Sequence, residues 1–251
     1  MAASAQKRLY EAIHDEYEDH YYDADSMAYR DRFYYDPLFT GLDLNGKSVA
    51  DLASGSGHNS EVLLRWFPEA QVTGYDISAP ACEAFRKNRG RPAVECDLTQ
   101  PMASTEQFDV AMIFGGLHHC VADLPTTLAN VAGLLKPDGL FLMLEPNRQC
   151  YLEGVRRLWY RFDSRYFNAA TEAALSHDAL LGLAGGRFRP QHLSYMGGPG
   201  YFLIAQSLLF RLPKALKAGL CGPLMKIEDL YNRLPGRFFF PYFIARWQRL
   251  A

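Results

Sequence analysis

The sequence has no run of about 18 apolar residues, the length that a helix needs to cross the hydrocarbon core of a membrane. Its first residues, MAASAQKRLYEAIHDEYED, contain no apolar segment of the kind found in a secretory signal. The pattern therefore predicts neither a spanning helix nor export, and we expect a cytoplasmic protein. Internal repeats and low-complexity linkers are missing as well, which argues against disorder.

Cysteine is scarce and has no informative spacing. The five cysteines are odd in number and form no C-x-x-C pair: Cys82, Cys96, Cys120, Cys150 and Cys221. This argues against the disulfide framework of a small secreted protein and against a zinc site built from cysteine pairs. A reducing compartment fits these thiols best.

Charge is divided unevenly along a chain that is otherwise of ordinary composition. With 251 residues, 49% of them hydrophobic and 22% charged, the chain can bury a full core as one domain with an elaboration. Positions 1–150 carry 12 Lys and Arg against 22 Asp and Glu, whereas positions 151–251 carry 14 against 6. Either these are two solvated faces of one domain, or the basic, aromatic C-terminal half meets an anionic or amphipathic partner such as a membrane surface.

The most informative segment reads VADLASGSGHNSEVLLRWF and is followed by VTGYDIS. An apolar strand enters a turn of small residues that opens an amphipathic helix, and a second strand then ends at Asp76. Gly55 and Gly57 allow positive φ and close approach of a ligand to the backbone. The acid can accept both ribose hydroxyls, so the pattern predicts a nucleoside cofactor site. A dinucleotide is disfavoured because Ser60 stands where that fingerprint has its third glycine.

Strands and helices are predicted to alternate through the centre of the chain, as a doubly wound parallel sheet requires. Predicted strands cover 48–53, 71–76, 93–96, 108–114 and 140–144, and predicted helices cover 57–67, 79–88 and 124–135. Ligands of such sheets bind beyond the carboxyl ends of the strands, which is where the sequence motifs fall.

The C-terminal part is predicted to complete the sheet around a helical insertion. Helices are expected at 151–161 and 171–183, a sixth strand at 187–196, and a last strand at 238–247 that would place Pro241 at a bulge or an edge. Positions 201–235 then form an insertion of two or three helices. The predicted division is an N-terminal helical lid at 1–40, a core at 41–198, a cap at 199–236 and the last strand of the core at 237–251.

Five blocks occur in a fixed order between positions 48 and 147: DLASGSG, GYDIS, CDL, FDVAMIFGGLHH and LLKPDGLFLMLEPN. In this order and spacing they resemble the class I S-adenosylmethionine-dependent methyltransferases, of the small-molecule and lipid type. One departure is Ala53, which stands at the first glycine of the family's first motif. The resemblance implies a seven-stranded, mostly parallel Rossmann-like sheet with an antiparallel last strand. It also implies S-adenosyl-L-methionine as cofactor and S-adenosyl-L-homocysteine as product.

The resemblance also assigns cofactor-binding roles. Asp51 would hold the amides of the turn or, through water, the methionine ammonium, and Asp76 would bind the ribose. Asp97 would accept a hydrogen bond from the adenine amino group. The other expected contacts are Ala53, Gly55, Gly57, Ile77, Leu98 and Phe114.

Methyl transfer needs alignment, exclusion of water and, for some acceptors, a base. His118 and His119 leave the fourth strand at the expected methyl end, so either can be that base or can simply pack the loop. Glu145 is a further catalytic candidate at the end of the fifth strand. No third ligand accompanies the histidine pair, so a metal site is not expected. His177 and His192 are interpreted as structural.

We expect a methyltransferase acting on a small-molecule or lipid-like acceptor by direct SN2 transfer to oxygen or carbon. The alternatives are a relative that uses the cofactor for another reaction, or a non-catalytic cofactor-binding partner. Nucleic acid is not an expected substrate because the fourth-strand motif lacks N-P-P-[YF] and no RNA-binding module is appended. The acceptor, the atom methylated and the oligomeric state stay open.

Two segments are candidates for covering the acceptor. The N-terminal region is rich in tyrosine and predicts short helices ending near Asp36-Pro37, which either pack on the sheet or form a lid. The insertion at 201–235, after a possible hinge at 197–200, is apolar and then basic. It can be an acceptor roof, a rigid cap, a homodimer interface or a peripheral membrane contact.

Overall fold

The computed structural model describes residues 21–102, 106–155, 173–207 and 212–251. Its centre is a seven-stranded sheet in the order β3-β2-β1-β4-β5-β7-β6. The first five strands are parallel, and β7 runs antiparallel to both β5 and β6. The predicted fold class, a doubly wound sheet with an antiparallel last strand, is confirmed.

The seven strands are β1 Ser48–Leu52, β2 Gln71–Asp76, β3 Ala93–Glu95, β4 Phe108–Phe114, β5 Leu135–Pro146, β6 Phe188–Met196 and β7 Tyr242–Arg249. The α-helices of the described residues are α1 Ala24–Arg30, α2 Asp36–Phe39, α3 His58–Trp66, α4 Ala79–Arg89, α5 Leu124–Leu134, α6 His177–Leu183 and α7 Lys214–Tyr231. Helices cover both faces of the sheet, so the central strands are buried on both sides, as the near-continuous apolar run of β4 predicts.

Local sequence signals place the helix ends. The Ser78 side chain accepts from the Ala81 N–H at the start of α4, and Gly90 ends this helix in the left-handed region. Asp123 accepts in the same way from the Thr126 N–H at the start of α5. These caps orient α4 and α5 beside the strands that lead to the carboxyl end of the parallel sheet.

The prediction for the N-terminal helices was wrong about where they end. A π-helical turn at Asp31–Tyr35 connects α1 to α2, and the helical path continues to Phe39. Pro37 lies in the first turn of α2, where a backbone N–H has no partner within the helix, so proline does not break the path. Positions 1–20 of the predicted lid lie outside the described residues.

Two strand boundaries also differ from the sequence prediction. The fifth strand begins at Leu135 rather than 140, with a register shift against β4 between Phe108 and Val110. The last strand begins at Tyr242 rather than 238, because the Asn147 side chain donates to the carbonyl oxygens of Arg237 and Phe240 and holds that segment as a turn. Pro241 therefore precedes the strand.

The insertion between β6 and β7 contains a π-helical turn at Tyr201–Ala205 and the 18-residue helix α7. Of the predicted helix at 151–161, only positions 151–155 are among the described residues. Within the insertion, Leu208, Leu209 and Phe210 lie outside the described residues. Ile204, Ala205 and Leu224 pack with Tyr29 in the same apolar cluster, so the insertion packs on the N-terminal helices.

Candidate active site

The turn between β1 and α3 has three residues in the left-handed region of backbone space. Ala53, Gly55 and Gly57 have φ values of 52°, 54° and 93°. A Cβ on Gly57 would lie 2.7 Å from Cγ of Arg89 and 2.8 Å from the Phe85 ring, so this position requires glycine for space as well as for φ. The turn leaves the N-terminus of α3 facing the end of the sheet, a site that favours anionic and polar ligand groups.

Asp76 fixes this turn to the end of β2. Its Oδ2 accepts from the Gly55 N–H at 2.9 Å, and its Oδ1 accepts from the Ser78 N–H at 2.9 Å. A carboxylate can accept about four hydrogen bonds, so these two contacts are compatible with a bound ligand diol. Its predicted ribose-binding role stays a prediction, and the structure adds that Asp76 shapes the turn.

Asp51 at the end of β1 is fully buried, and its Oδ2 accepts from the Ser60 hydroxyl at 2.5 Å. Its Oδ1 has no hydrogen-bond partner within the described structure. Burial raises the pKa of Asp51 to about 7, with the negative charge of Asp76 adding to the effect. Asp51 also accepts from the backbone N–H of Ser60, and its unsatisfied oxygen can accept from a ligand ammonium, so both roles predicted for Asp51 stay predictions.

The adenine side of the expected site follows β2 and β3. Ile77 is half-buried, Leu98 is buried, and Asp97 accepts from both the N–H and the hydroxyl of Thr99. The side chain of Asn130 donates to the carbonyl oxygens at positions 98 and 100 and so supports this loop from α5. Asn130 was not predicted, because an asparagine within a helical pattern carries no local signal of a distant loop contact.

Aromatic residues of the N-terminal region lie against the glycine-rich turn. The Tyr22 ring stacks on His58, the first residue of α3, with ring centroids 3.8 Å apart. The Tyr35 hydroxyl donates to Oδ1 of Asn59 at 2.8 Å. Tyr29 and Tyr35 are buried, so these tyrosines form core, while Tyr22 stays half-buried at the mouth of the turn.

A buried carboxylate organises the loop after β4. Glu145 accepts from the N–H groups of Gly116 at 3.1 Å, Leu117 at 2.7 Å and His118 at 3.2 Å. Its Oε2 also lies 2.9 Å from Nδ1 of His118. Burial raises the pKa of Glu145 to about 8, against the opposing effect of the three N–H donors. The contact with Nδ1 fixes the orientation of the His118 imidazole. The other ring nitrogen, Nε2, then points away from Glu145.

His119 is placed differently from its neighbour. Its ring contacts the His118 ring at a centroid distance of 4.0 Å. Burial, together with the neighbouring His118, lowers its pKa well below the usual value. His119 is therefore neutral at neutral pH, and its predicted role as a base stays a prediction. His177, interpreted as structural, is buried and accepts from the indole N–H of Trp247 at 3.0 Å.

Two buried charged residues of α7 were missed by the sequence prediction. Glu228 accepts from the N–H groups of Gly198, Gly200 and Tyr201 and from the Tyr29 hydroxyl. Lys217 donates to Asp23, Ser26 and Ser207. The segment 197–200, predicted as a hinge, is thus anchored to α7, and α7 is anchored to α1.

Comparisons with known proteins agree with this architecture. Residues 50–141 match a family model described as a methyltransferase domain. A ubiquinone/menaquinone biosynthesis C-methyltransferase of Desulfotalea psychrophila is 33% identical over 142 residues, covering 51% of this chain and 55% of that protein. A phthiotriol/phenolphthiotriol dimycocerosates methyltransferase of Mycobacterium tuberculosis is 29% identical over 115 residues, covering 44% of this chain and 42% of that protein. The chain thus spans about half the length of these curated relatives.

Residues 50–141, the part that matches the family model, form a class I S-adenosylmethionine-dependent methyltransferase domain. The crystal structure of the N-methyltransferase NodS from Bradyrhizobium japonicum WM9 with S-adenosyl-L-homocysteine has the same fold, with a TM-score of 0.56 at 10% identity over 91% of this chain and 89% of that one. The family's cofactor is S-adenosyl-L-methionine. The unsatisfied oxygen of Asp51 fits the ammonium group of this cofactor. The glycine-rich turn allows the cofactor to approach the backbone closely.

Among the described residues, no helix is both long and apolar enough to cross a membrane. The same residues contain no group of three or more histidine, cysteine, aspartate or glutamate side chains arranged to hold a metal ion.

Proposed function

We propose that the protein transfers a methyl group from S-adenosyl-L-methionine to an oxygen or carbon atom of a small or lipid-like acceptor. The observation that carries the proposal is the meeting of two features at one end of the sheet. Asp51 ends β1, which pairs with β4, and the His118–Glu145 pair lies beyond β4 and β5. Ligand binding and proton removal can therefore occur side by side.

When bound, S-adenosyl-L-methionine supplies a methyl carbon attached to a positively charged sulfur. The acceptor bonds to that carbon as the carbon–sulfur bond breaks, and the electron pair stays on sulfur. We assign removal of the acceptor proton to Nε2 of His118, with Glu145 holding Nδ1. This makes His118 the catalytic residue and Glu145 a positioning residue, while His119 packs the loop.

An apolar acceptor is supported by the apolar residues of the cap and by the relatives. The described cap contributes Tyr201 and Leu203, which pack beside the aromatic cluster of Tyr29 and Tyr34. The two relatives are named for methylation in ubiquinone/menaquinone biosynthesis and of phthiotriol/phenolphthiotriol dimycocerosates. We extend this acceptor class to the present chain. Because such acceptors reside in membranes, we also propose that the protein acts at a membrane surface.

The decisive experiment offers the purified protein S-adenosyl-L-methionine with alkyl-substituted hydroquinones and phenols of increasing chain length. We expect stoichiometric S-adenosyl-L-homocysteine and a product heavier by one methylene unit, with rates that rise with alkyl length. Consumption of cofactor without a methylated product would favour a different reaction. Tight S-adenosyl-L-homocysteine binding without turnover on any acceptor would favour a non-catalytic cofactor-binding protein.

A further inference from the structure

The helix α7 has two faces that differ in what they contact. Lys217, Leu224 and Glu228 are buried on one face, against α1 and the segment 197–200. Leu216, Ile227 and Leu230 are exposed, and at ~100° per residue they fall within about 60° of each other on another face. Leu230 is 67% exposed, so this face is apolar without serving the core.

The apolar face continues into an aromatic tip. Phe238 and Phe239 are exposed just after α7, and Tyr151 lies beside them with ring centroids 5.6 and 6.2 Å away. The Tyr231 hydroxyl at the end of α7 donates to the Phe239 carbonyl oxygen, which ties the tip to the helix. We name the combined surface the apolar rim, and its members are Tyr151, Leu216, Ile227, Leu230, Leu234, Phe238 and Phe239.

The exposed charges of α7 and of the residues just after it are basic, and the exposed Asp178 near the aromatic tip pairs with Arg237 at 2.6 Å. Lys214, Lys226 and Arg233 are exposed along α7 and just after it. The two acidic residues of the same stretch are engaged elsewhere, since Glu228 is buried and Asp229 pairs with Arg32 at 2.7 Å. An apolar stripe with aromatic residues and flanking lysine and arginine is the pattern of helices that lie in a membrane interface.

We propose that the apolar rim docks the protein on an anionic membrane. Lysine and arginine would contact lipid phosphates, while the leucine and phenylalanine side chains enter the boundary between head groups and acyl chains. A two-fold contact between copies is less favourable, because it would place the basic flank of one rim against that of the other. The choice of a membrane rests on the proposed apolar acceptor, which would be taken up there.

The test is co-sedimentation with vesicles in the absence of acceptor and cofactor. One set of vesicles is phosphatidylcholine and the other is phosphatidylcholine mixed with phosphatidylglycerol. We expect binding to the anionic vesicles, release by salt, and weak binding to the neutral ones. The variant Ile227→Glu/Leu230→Glu should bind anionic vesicles at least ~10-fold more weakly, because two apolar side chains are kept from the bilayer. Val94→Glu, at the far edge strand β3 and 41% exposed in the wild type, is the matched control and should bind like the wild type.

Each outcome decides the proposal. Wild-type protein that ignores anionic vesicles, or a double variant that binds like the wild type, overturns it. A wild-type dimer in sedimentation velocity that becomes monomeric in the double variant, without vesicle binding, assigns the rim to self-association instead. The double variant should keep its unfolding midpoint and its affinity for S-adenosyl-L-homocysteine. A wild-type protein that binds anionic vesicles but transfers no methyl group to any acceptor contradicts the proposed function and still supports the docking surface.

Discussion

The Lys217 ammonium donates to the Asp23 carboxylate at 2.7 Å across 194 positions of sequence, and the lysine side chain is fully buried. Asp23 is the N-cap of α1, and its neighbour Tyr22 stacks on His58 at the start of α3. The pair therefore connects the cap helix to the residue that covers the glycine-rich turn. Burial acts to raise the pKa of Asp23, but hydrogen bonds from Lys217 and Ser26 outweigh it, and the pKa is lowered overall.

Replacing Lys217 should loosen the cap and weaken cofactor binding together. We expect Lys217→Ala to lower the free energy of unfolding by about 3 kcal/mol, since it leaves the Asp23 carboxylate without its partner. Lys226→Ala, exposed on the same helix, should change it by less than ~0.5 kcal/mol. Urea unfolding and calorimetric titration with S-adenosyl-L-homocysteine measure the two effects. Unchanged cofactor affinity in a destabilised Lys217→Ala would show that α1 and the turn are not coupled.

The sequence predicts the strands and helices around the glycine-rich turn well because its signals are local. The glycine spacing, the caps and the apolar runs act within a few residues of Gly55, Ser78 and Phe108. The Lys217–Asp23 pair could not be predicted, since a lysine in an amphipathic helix ordinarily faces solvent and its partner is chosen by tertiary packing. The hydrogen bond from the Gly55 amide to Asp76 was not predicted either, because Asp76 lies on the adjacent strand.

Ala53 occupies a position that favours glycine. Its φ of 52° costs an alanine about 1–2 kcal/mol, whereas glycine loses about 0.5–1 kcal/mol in entropy. We expect Ala53→Gly to raise the free energy of unfolding by ~0.5 kcal/mol in urea titrations. Ala53→Val should be destabilising, because a Cβ on Gly116 would already lie 2.7 Å from the Ala53 Cβ and the space there is limited. Asp138→Gly, at φ 61°, is the control with the smaller gain because aspartate tolerates this region better. A clear loss of stability in Ala53→Gly would contradict this account.

Cofactor affinity should depend on pH through Asp51. Its pKa of about 7 means that the carboxyl is mostly neutral at pH 6, and only the ionised form attracts the ligand ammonium. We expect the affinity for S-adenosyl-L-homocysteine to rise roughly tenfold between pH 6 and pH 8. The raised folded pKa has the opposite effect on the protein without ligand: its contribution to stability is present below the unfolded pKa near 3.8 and is lost as the pH rises through about 7. Calorimetry and thermal unfolding across this range test both signs.

Asp51→Asn provides the control for that experiment. Asparagine keeps the shape of the side chain and the contact with Ser60 but cannot ionise, so both pH dependences should flatten. Affinity should fall at pH 8 to near the value of the wild type at pH 6. If the pH dependence survives in Asp51→Asn, another group controls binding.

The last prediction distinguishes the role of His118 as general base from the role of Glu145 as the residue that positions it. His118→Ala should lower kcat ~10²-fold or more while leaving affinity for S-adenosyl-L-homocysteine unchanged. Glu145→Gln should also lower kcat with little effect on KM, because the amide nitrogen that replaces one carboxylate oxygen cannot accept from Nδ1 or the backbone N–H of His118.

The pH profile distinguishes positioning by Glu145 from a purely structural role. Since burial raises the pKa of Glu145 to about 8, ionisation of the carboxyl should make kcat of the wild type rise with pH and level off above about 8. This rise should disappear in Glu145→Gln and return, at a shifted pH, in Glu145→Asp. His119→Gln is the matched control and should keep the wild-type profile, because His119 stays neutral throughout the range. Near-normal turnover of both His118→Ala and Glu145→Gln would mean that the enzyme aligns its substrates and needs no base.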